Sequence, residues 1–359
     1  MIIGHGGNKT ALARELGCHV DEIVDMSANI NPLGPPERII QVILDHVSAV
    51  QQLPEPDARS MVQGFARYHG IDPGTVIAGN GTTWFIYTLP LALQAQHVLI
   101  LGPTYSDYAD ACRMHHIEPE FWIAKPETGF VPDLESVSTK AAHADLVFVC
   151  NPNNPTGVLL DPAIIITLLQ RHPRTCFVVD ESYLPFVADG DDRSLVHAGE
   201  YANLLVLSSM SKIFAIPGLR TGFLSGATGL IEKVRSYSQP WNVNALAQVV
   251  INDIYDHPEQ MVPFYKKTRA FIAREKHWFL KEQADIPGLM PVAGHTGFVL
   301  ARLQYHTAPQ VCRRVGQDRI LIRDCTNFHG LNHRFVRFSL KDRENNLKLG
   351  ASLKKALSQ

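Results

Sequence analysis

From Thr75 to Gly226 the chain alternates short apolar runs with longer stretches of mixed polarity. The runs TVIAG (75–79), HVLILG (97–102), PEFWIA (119–124), DLVFVC (145–150), CFVVD (176–180), NLLVLS (203–208) and TGFLSG (221–226) read as strands. Several are apolar at nearly every position, as a strand covered on both faces requires. Helices fit between them at 82–94, 105–116 and 161–171. This alternation predicts an α/β fold with a mostly parallel, seven-stranded sheet sandwiched by helices. Ligands of such sheets bind beyond the carboxyl ends of the strands, which directs attention to the loops there.

The flanks differ. The first fifty residues are irregular, with HGGN at 5–8, a polar helix candidate at 9–17, and the Gly/Pro/Asn-rich SANINPLGPP at 27–36. A helix is expected from Glu37 to about Val47, and QQLPEPD (51–57) breaks the chain again. After Pro240-Trp241 the spacing turns helical, with a long amphipathic stretch over 258–284. GFVLARL (297–303), RILIRDC (319–325) and HRFVRFSL (333–340) then alternate with helices near 308–316 and 343–357. The expected organisation is an N-terminal segment (1–47) closing over the site, a large domain (48–257), and a small α+β domain (258–359).

Composition narrows the function. The 33 basic and 35 acidic side chains nearly cancel, and no basic tract offers a nucleic-acid or anionic-membrane surface. The sixteen histidines have no metal-ligand spacing; even the adjacent His115 and His116 would point in different directions on a helix. None of the six cysteines forms C-x-x-C, and several sit in apolar runs, so they read as reduced, mostly buried residues. With no signal-peptide pattern and no apolar run near the ~20 residues of a spanning helix, a cytoplasmic location is expected.

Four loops follow the strands. In GNGTT (79–83) the glycines would let a ligand approach the backbone, and the helix N–H groups would favour a phosphate; taken alone, the motif reads more readily as a simple turn before a helix. It is not a dinucleotide fingerprint, because Trp84 fills the third glycine position. NPNNPTG (151–157) has two prolines to fix it and two asparagines at its tip, more specification than a turn needs. DESY (180–183) ends a strand in a carboxylate, either a buried anion facing a cation or a cap for the next element. In SSMSKIFAIPGLRTG (208–222), Lys212 follows Ser209 and Ser211, and Arg220 comes eight residues later. A lysine at the edge of a packed core can act as an amine nucleophile, and hydroxyls with an arginine can clamp a phosphate. A solvated lysine in a serine-rich loop leaves the apolar IFAIPGL unexplained.

Together N-N-P-T-G, D-E-S-Y and S-x-S-K-x-F-A-I-P-G-L-R resemble the aspartate aminotransferase superfamily, the fold type I pyridoxal-phosphate (PLP) enzymes, over essentially the whole chain. The resemblance implies that Lys212 carries the cofactor covalently and moves protons. It implies that Asp180 pairs with the pyridine nitrogen. Asn154 and Tyr183 would hydrogen-bond the ring hydroxyl, and Tyr105 would stack on the ring. Gly81, Thr82, Ser209, Ser211 and Arg220 would hold the phosphate. A homodimer is implied as well.

Within the superfamily the pattern is similar to the histidinol-phosphate aminotransferase group. HGGN, SANINPLG and the C-terminal RILIRDCTNFHGL…HRFVRFSLK resemble threonine-phosphate decarboxylases of cobalamin biosynthesis. That resemblance implies conversion of L-threonine O-3-phosphate, or its serine analogue, to the amino-alcohol phosphate and CO2. The alternative is an aminotransferase of the histidinol-phosphate type. His5, Asn8, Asn29 and Asn31 would offer donors to the substrate, and Arg323 and Arg337 two fixed charges for its anionic groups. His5 and the asparagines serve equally well as loop stabilisers, and either arginine could pair with Asp324 or Asp342. The family's Tyr-Pro-Asp, whose tyrosine reaches the partner subunit's cofactor phosphate, is here Leu53-Pro54-Glu55, and Thr83 stands where relatives often carry an acid. A PLP-sensing regulator would carry a helix-turn-helix ahead of the core; the loop-like, non-basic N-terminal residues do not fit one.

Overall fold

The computed structural model describes residues 6–358. Thirteen strands occur among them: β1 (Val24–Asp25), β2 (Val76–Asn80), β3 (Val98–Gly102), β4 (Glu120–Ile123), β5 (Leu146–Cys150), β6 (Cys176–Asp180), β7 (Leu204–Ser209), β8 (Thr221–Gly226), β9 (Leu289–Pro291), β10 (Phe298–Leu303), β11 (Ile320–Leu321), β12 (Arg323–Asp324) and β13 (Phe335–Ser339). All seven strands expected between 75 and 226 are present and form one sheet, ordered β2-β8-β7-β6-β5-β3-β4. Only β8 runs antiparallel to its neighbours β2 and β7; every other pair is parallel.

The apolar runs have a direct physical explanation. β3, β5 and β6 are buried at every position. Alternate side chains feed two different cores: Val147, Val149, Phe177 and Val179 enter one, and Phe148, Cys150 and Val178 the other. The register aligns the strand ends that carry chemistry. Cys150 pairs with Asp180, Asp180 with Leu207, Ser209 with Gly222, and Asn80 with Thr221. Four motifs far apart in sequence are thereby brought to one edge of the sheet.

A second sheet, β12-β13-β10-β9, is wholly antiparallel. The helices Ala308–Gln317 and Arg343–Leu357 contribute to its own core, with Val311, Val315, Leu349 and Leu353 against Val299 and Phe338. The run RILIRDC, expected as one strand, breaks at Ile322. Its first half (β11) pairs with β1 of the N-terminal segment, and its second half (β12) pairs with β13. Met26 continues the first contact, donating to Leu321 O (2.8 Å) and accepting from Ser339 N (2.7 Å). The N-terminal segment is thus stitched to the smaller sheet.

The long amphipathic stretch is one helix, Pro258–Glu282. Its Glu275 is buried and accepts from Arg343 Nε (2.9 Å), Arg343 Nη2 (3.1 Å) and Asn346 Nδ2 (3.2 Å) of the C-terminal helix. No helix of the described residues is long and apolar enough to cross a membrane. The six cysteines are free thiols, four of them buried.

Candidate active site

Beyond the aligned strand ends lies a solvent-open cleft lined by Gly81, Thr82, Tyr105, Tyr108, Asn154, Asp180, Tyr183, Ser209, Ser211, Lys212 and Arg220, among others. Every residue expected to touch the cofactor therefore faces one space.

Asp180 ends β6 and is almost fully buried. Its Oδ1 accepts from the Ser182 N–H (2.9 Å) and its Oδ2 from the Tyr108 hydroxyl (2.8 Å). Lys212 sits in the short helix Met210–Ile213 just after β7. Burial lowers its ammonium pKa first, and the cations of Arg220 and Arg337 add to this against the opposing pull of Asp180 and Asp107. Its Nζ makes no hydrogen bond among the described residues, and burial makes its neutral form easier to reach than in a free lysine. Burial likewise pushes the Tyr183 hydroxyl up to about 12. That hydroxyl accepts from Asn29 Nδ2 (3.3 Å), which leaves its proton free to be donated into the cleft.

At the other end the helix Gly81–Ala92 starts without a side-chain cap. Its first N–H groups lack helical partners and carry the positive end of the helix dipole. Two glycines keep this end tight. A Cβ on Gly81, whose φ is +75°, would lie 2.7 Å from the Arg220 guanidinium, and one on Gly222 would lie 2.7 Å from the Thr82 nitrogen. Ser209, Ser211 and Arg220 close the cup. Orphan N–H groups, two hydroxyls and a guanidinium suit a phosphate, an unpaired amine suits an aldehyde, and a buried carboxylate suits a ring nitrogen. The donor set fits pyridoxal phosphate.

The NPNNPTG loop divides its labour. Asn151 exchanges two hydrogen bonds with the Leu160 backbone, and Asn153 donates to Pro103 O (2.8 Å) and Thr156 Oγ1 (2.9 Å). Only Asn154 faces the cleft, where its Oδ1 accepts from Arg337 Nη1.

Arg323 and Arg337 are cross-strand partners of β12 and β13, and both are buried. Arg337 also donates to Ser27 O (2.7 Å), while its Nε is buried without a partner. Arg323 donates to Asn327 Oδ1 (2.7 Å). Burial lowers both guanidinium pKa values, and in Arg323 the neighbouring Arg337 adds to the effect. No carboxylate of the described residues forms an ion pair with either arginine, so neither Asp324 nor Asp342 plays that part.

The asparagines of the N-terminal segment separate. Asn29 stays at the site, donating to Tyr183 and accepting from Ser339 Oγ (2.8 Å). Asn31 is placed differently from the expectation. Its amide donates to Ile213 O (2.7 Å) and Thr268 Oγ1 (2.9 Å), and its oxygen accepts from Leu33 N, so it braces the backbone beside Lys212. Asn8 is exposed and caps the helix Lys9–Leu16 by accepting from Ala11 N (3.1 Å). His5 lies outside the described residues. Sequence reasoning passed over Tyr108, although it falls three residues after Tyr105 within the helix expected at 105–116, a spacing that would have put both rings on one face; in the structure the helix begins at Asp107.

Residues 21–353 match the aminotransferase class I and II family, and the chain belongs to it; with that membership comes the cofactor, pyridoxal 5′-phosphate. Among curated relatives, the threonine-phosphate decarboxylase of Salmonella typhimurium is 28% identical, over 99% of this chain and 96% of its own. A histidinol-phosphate aminotransferase of Thermoanaerobacter pseudethanolicus is 29% identical over 85% of each. The crystal structure of L-threonine-O-3-phosphate decarboxylase from Porphyromonas gingivalis superimposes with a TM-score of 0.84 at 29% identity, covering 94% of this chain and 100% of that one.

Proposed function

We propose that the chain is a carboxy-lyase that removes CO2 from an O-phosphorylated hydroxy amino acid, with L-threonine O-3-phosphate as the leading substrate, its serine analogue next, and cytoplasmic cobalamin biosynthesis as the setting. The observation that carries this reading is the buried arginine pair. Two adjacent desolvated cations with no carboxylate ion-pair partner among the described residues are costly until an anion arrives. A single carboxylate would compensate one of them, whereas a dianionic phosphate compensates both and offers enough oxygens for two guanidinium forks.

When bound, pyridoxal phosphate supplies an electron sink for whichever bond at the substrate α-carbon stands perpendicular to its ring. The chain's residues select that bond. Were Arg323 and Arg337 to hold the substrate phosphate, its carboxylate would be left unclamped and free to leave as CO2. With the same pair holding the carboxylate, the α-proton would leave and the amino group would be transferred, the route of the histidinol-phosphate aminotransferase relatives. Lys212 Nζ, its ammonium pKa lowered by burial, would carry a proton to and from the α-carbon. Tyr183 and Asn154 would orient the ring hydroxyl, and Asp180 would face the ring nitrogen.

The test is to supply threonine O-phosphate and serine O-phosphate to the holoenzyme and quantify CO2 against substrate consumed. One CO2 per substrate over many turnovers is the expected result. Transfer of the amino group to the cofactor without CO2 would make the chain an aminotransferase instead.

A further inference from the structure

We propose that Tyr108 is the positioning residue of Asp180, fixing the carboxylate's direction toward the cofactor ring nitrogen through its hydrogen bond to Oδ2. The proposal rests on the reading of Asp180 as the ring-nitrogen partner. Tyr108 lies in the first turn of the helix Asp107–Met114 and is completely buried. Its ring is stacked on Phe148 of β5 (centroids 5.0 Å apart, planes at 14°) and meets Tyr105 edge-on (5.8 Å, 86°). A ring held on two sides cannot swing, so its hydroxyl is a fixed point 2.8 Å from Oδ2. The Ser182 N–H, on the loop after β6, fixes the other oxygen. Two separate elements therefore supply one donor per oxygen. An ionised carboxylate accepts at about four lone-pair sites, so each oxygen keeps capacity to face the cleft.

The alternative is that Asp180 merely satisfies a buried tyrosine, since buried tyrosine hydroxyls generally find a partner. The two differ in what the cofactor feels. A donor on a carboxylate draws charge from it. Without that donor, the proton shared with the ring nitrogen is drawn toward the carboxylate, and the ring becomes a weaker electron sink. The titratable groups around Asp180 are the hydroxyls of Tyr105, Tyr108 and Tyr183, the Cys150 thiol, Lys212 and Glu181. Of these, only Tyr108 donates a side-chain hydrogen bond to the carboxylate in the described structure.

Tyr108→Phe keeps the ring packing and removes the donor alone. The experiment loads wild type and variant with ring-¹⁵N pyridoxal phosphate and follows the nitrogen chemical shift with pH. Borohydride reduction and peptide mapping establish that Lys212 carries the cofactor in both. We expect the variant's nitrogen to move toward its unprotonated value, by roughly a tenfold change in the protonation equilibrium, as expected for losing one hydrogen bond to a charged group. Site-specific 3-fluorotyrosine at 108, a stronger donor of nearly the same shape, moves the shift the opposite way and serves if the phenylalanine variant does not fold. A shift and pH profile equal to wild type in the folded variants would overturn the positioning role. Wild-type protein without cofactor on Lys212 would instead overturn the underlying reading.

Discussion

At the scale of single residues, buried charge is the recurring theme. Arg337 is buried, its Nε has no partner, and no carboxylate of the described residues forms an ion pair with it, although the charge of Asp25 reaches it. Replacing such a cation with an apolar side chain of similar length is often neutral or stabilising by about 1–4 kcal/mol. We therefore expect Arg337→Met to melt at the same temperature as wild type or higher without substrate. The same change should lower kcat/KM for the phosphorylated substrate by roughly 100-fold or more, given the ~2–5 kcal/mol cost of losing a buried charge partner. Calorimetry and steady-state kinetics on one preparation check both halves. Glu181 shows the opposite sign of design. Burial pushes its carboxyl up to about 7, although Ser194 Oγ (2.6 Å) and Leu195 N (2.8 Å) donate to it. Between its ordinary value of 4.5 and about 7 the folded protein keeps a proton that the unfolded chain releases, so stability falls as pH rises through that window. Glu181→Gln should flatten this slope, worth on the order of 3 kcal/mol, in denaturant titrations at pH 5 and pH 8.

At the scale of elements, the strands of the large sheet were readable because two-sided burial writes itself as continuous apolar sequence. Each of β2 to β8 falls within two residues of its expected span. The helix Arg59–His69 was not foreseen. It starts after Ala58 at a φ of +51° without a side-chain cap, and it carries an interior glycine. That glycine is required by tertiary contact, since a Cβ on Gly64 would meet the Tyr255 side chain at 2.9 Å, and no local pattern announces such a contact. The break of RILIRDC at Ile322 was hidden for a related reason, because the partners that split it, β1 and β13, lie far away in sequence. In the site, residues tied to motifs were legible. Asn31 was not told apart from Asn29, because side-chain direction depends on backbone turns that composition does not encode. The phosphate cup yields a prediction at this scale. An alanine at Gly222 would press on the Thr82 backbone nitrogen, which cannot step aside as a flexible side chain can. We expect Gly222→Ala to weaken cofactor binding by about 10-fold or more while largely preserving secondary structure, as read by cofactor titration and circular dichroism.

At the scale of the whole molecule, the site draws on three parts of the chain. The seven-stranded sheet carries the cofactor loops, the antiparallel sheet carries the arginine pair, and the segment around Ser27 and Asn29 contacts both Arg337 and Tyr183. One surface is left unpartnered. Ile40, Leu44, Val47, Val50 and Leu53 form an exposed apolar series from the helix Glu37–Asp45 into the turn that follows. A second copy of the chain is the expected cover, and Leu44→Asp with Val47→Lys should shift the sedimentation coefficient from dimer toward monomer. Leu53 itself is 78% exposed.

All of this depends on the amine at position 212. The most direct measurement is borohydride reduction of the purified yellow protein, followed by peptide mass mapping. The reduced cofactor should appear on Lys212 alone, and Lys212→Ala should be colourless and inactive. Cofactor mass on a different lysine, or an alanine variant that keeps both colour and turnover, would contradict the account.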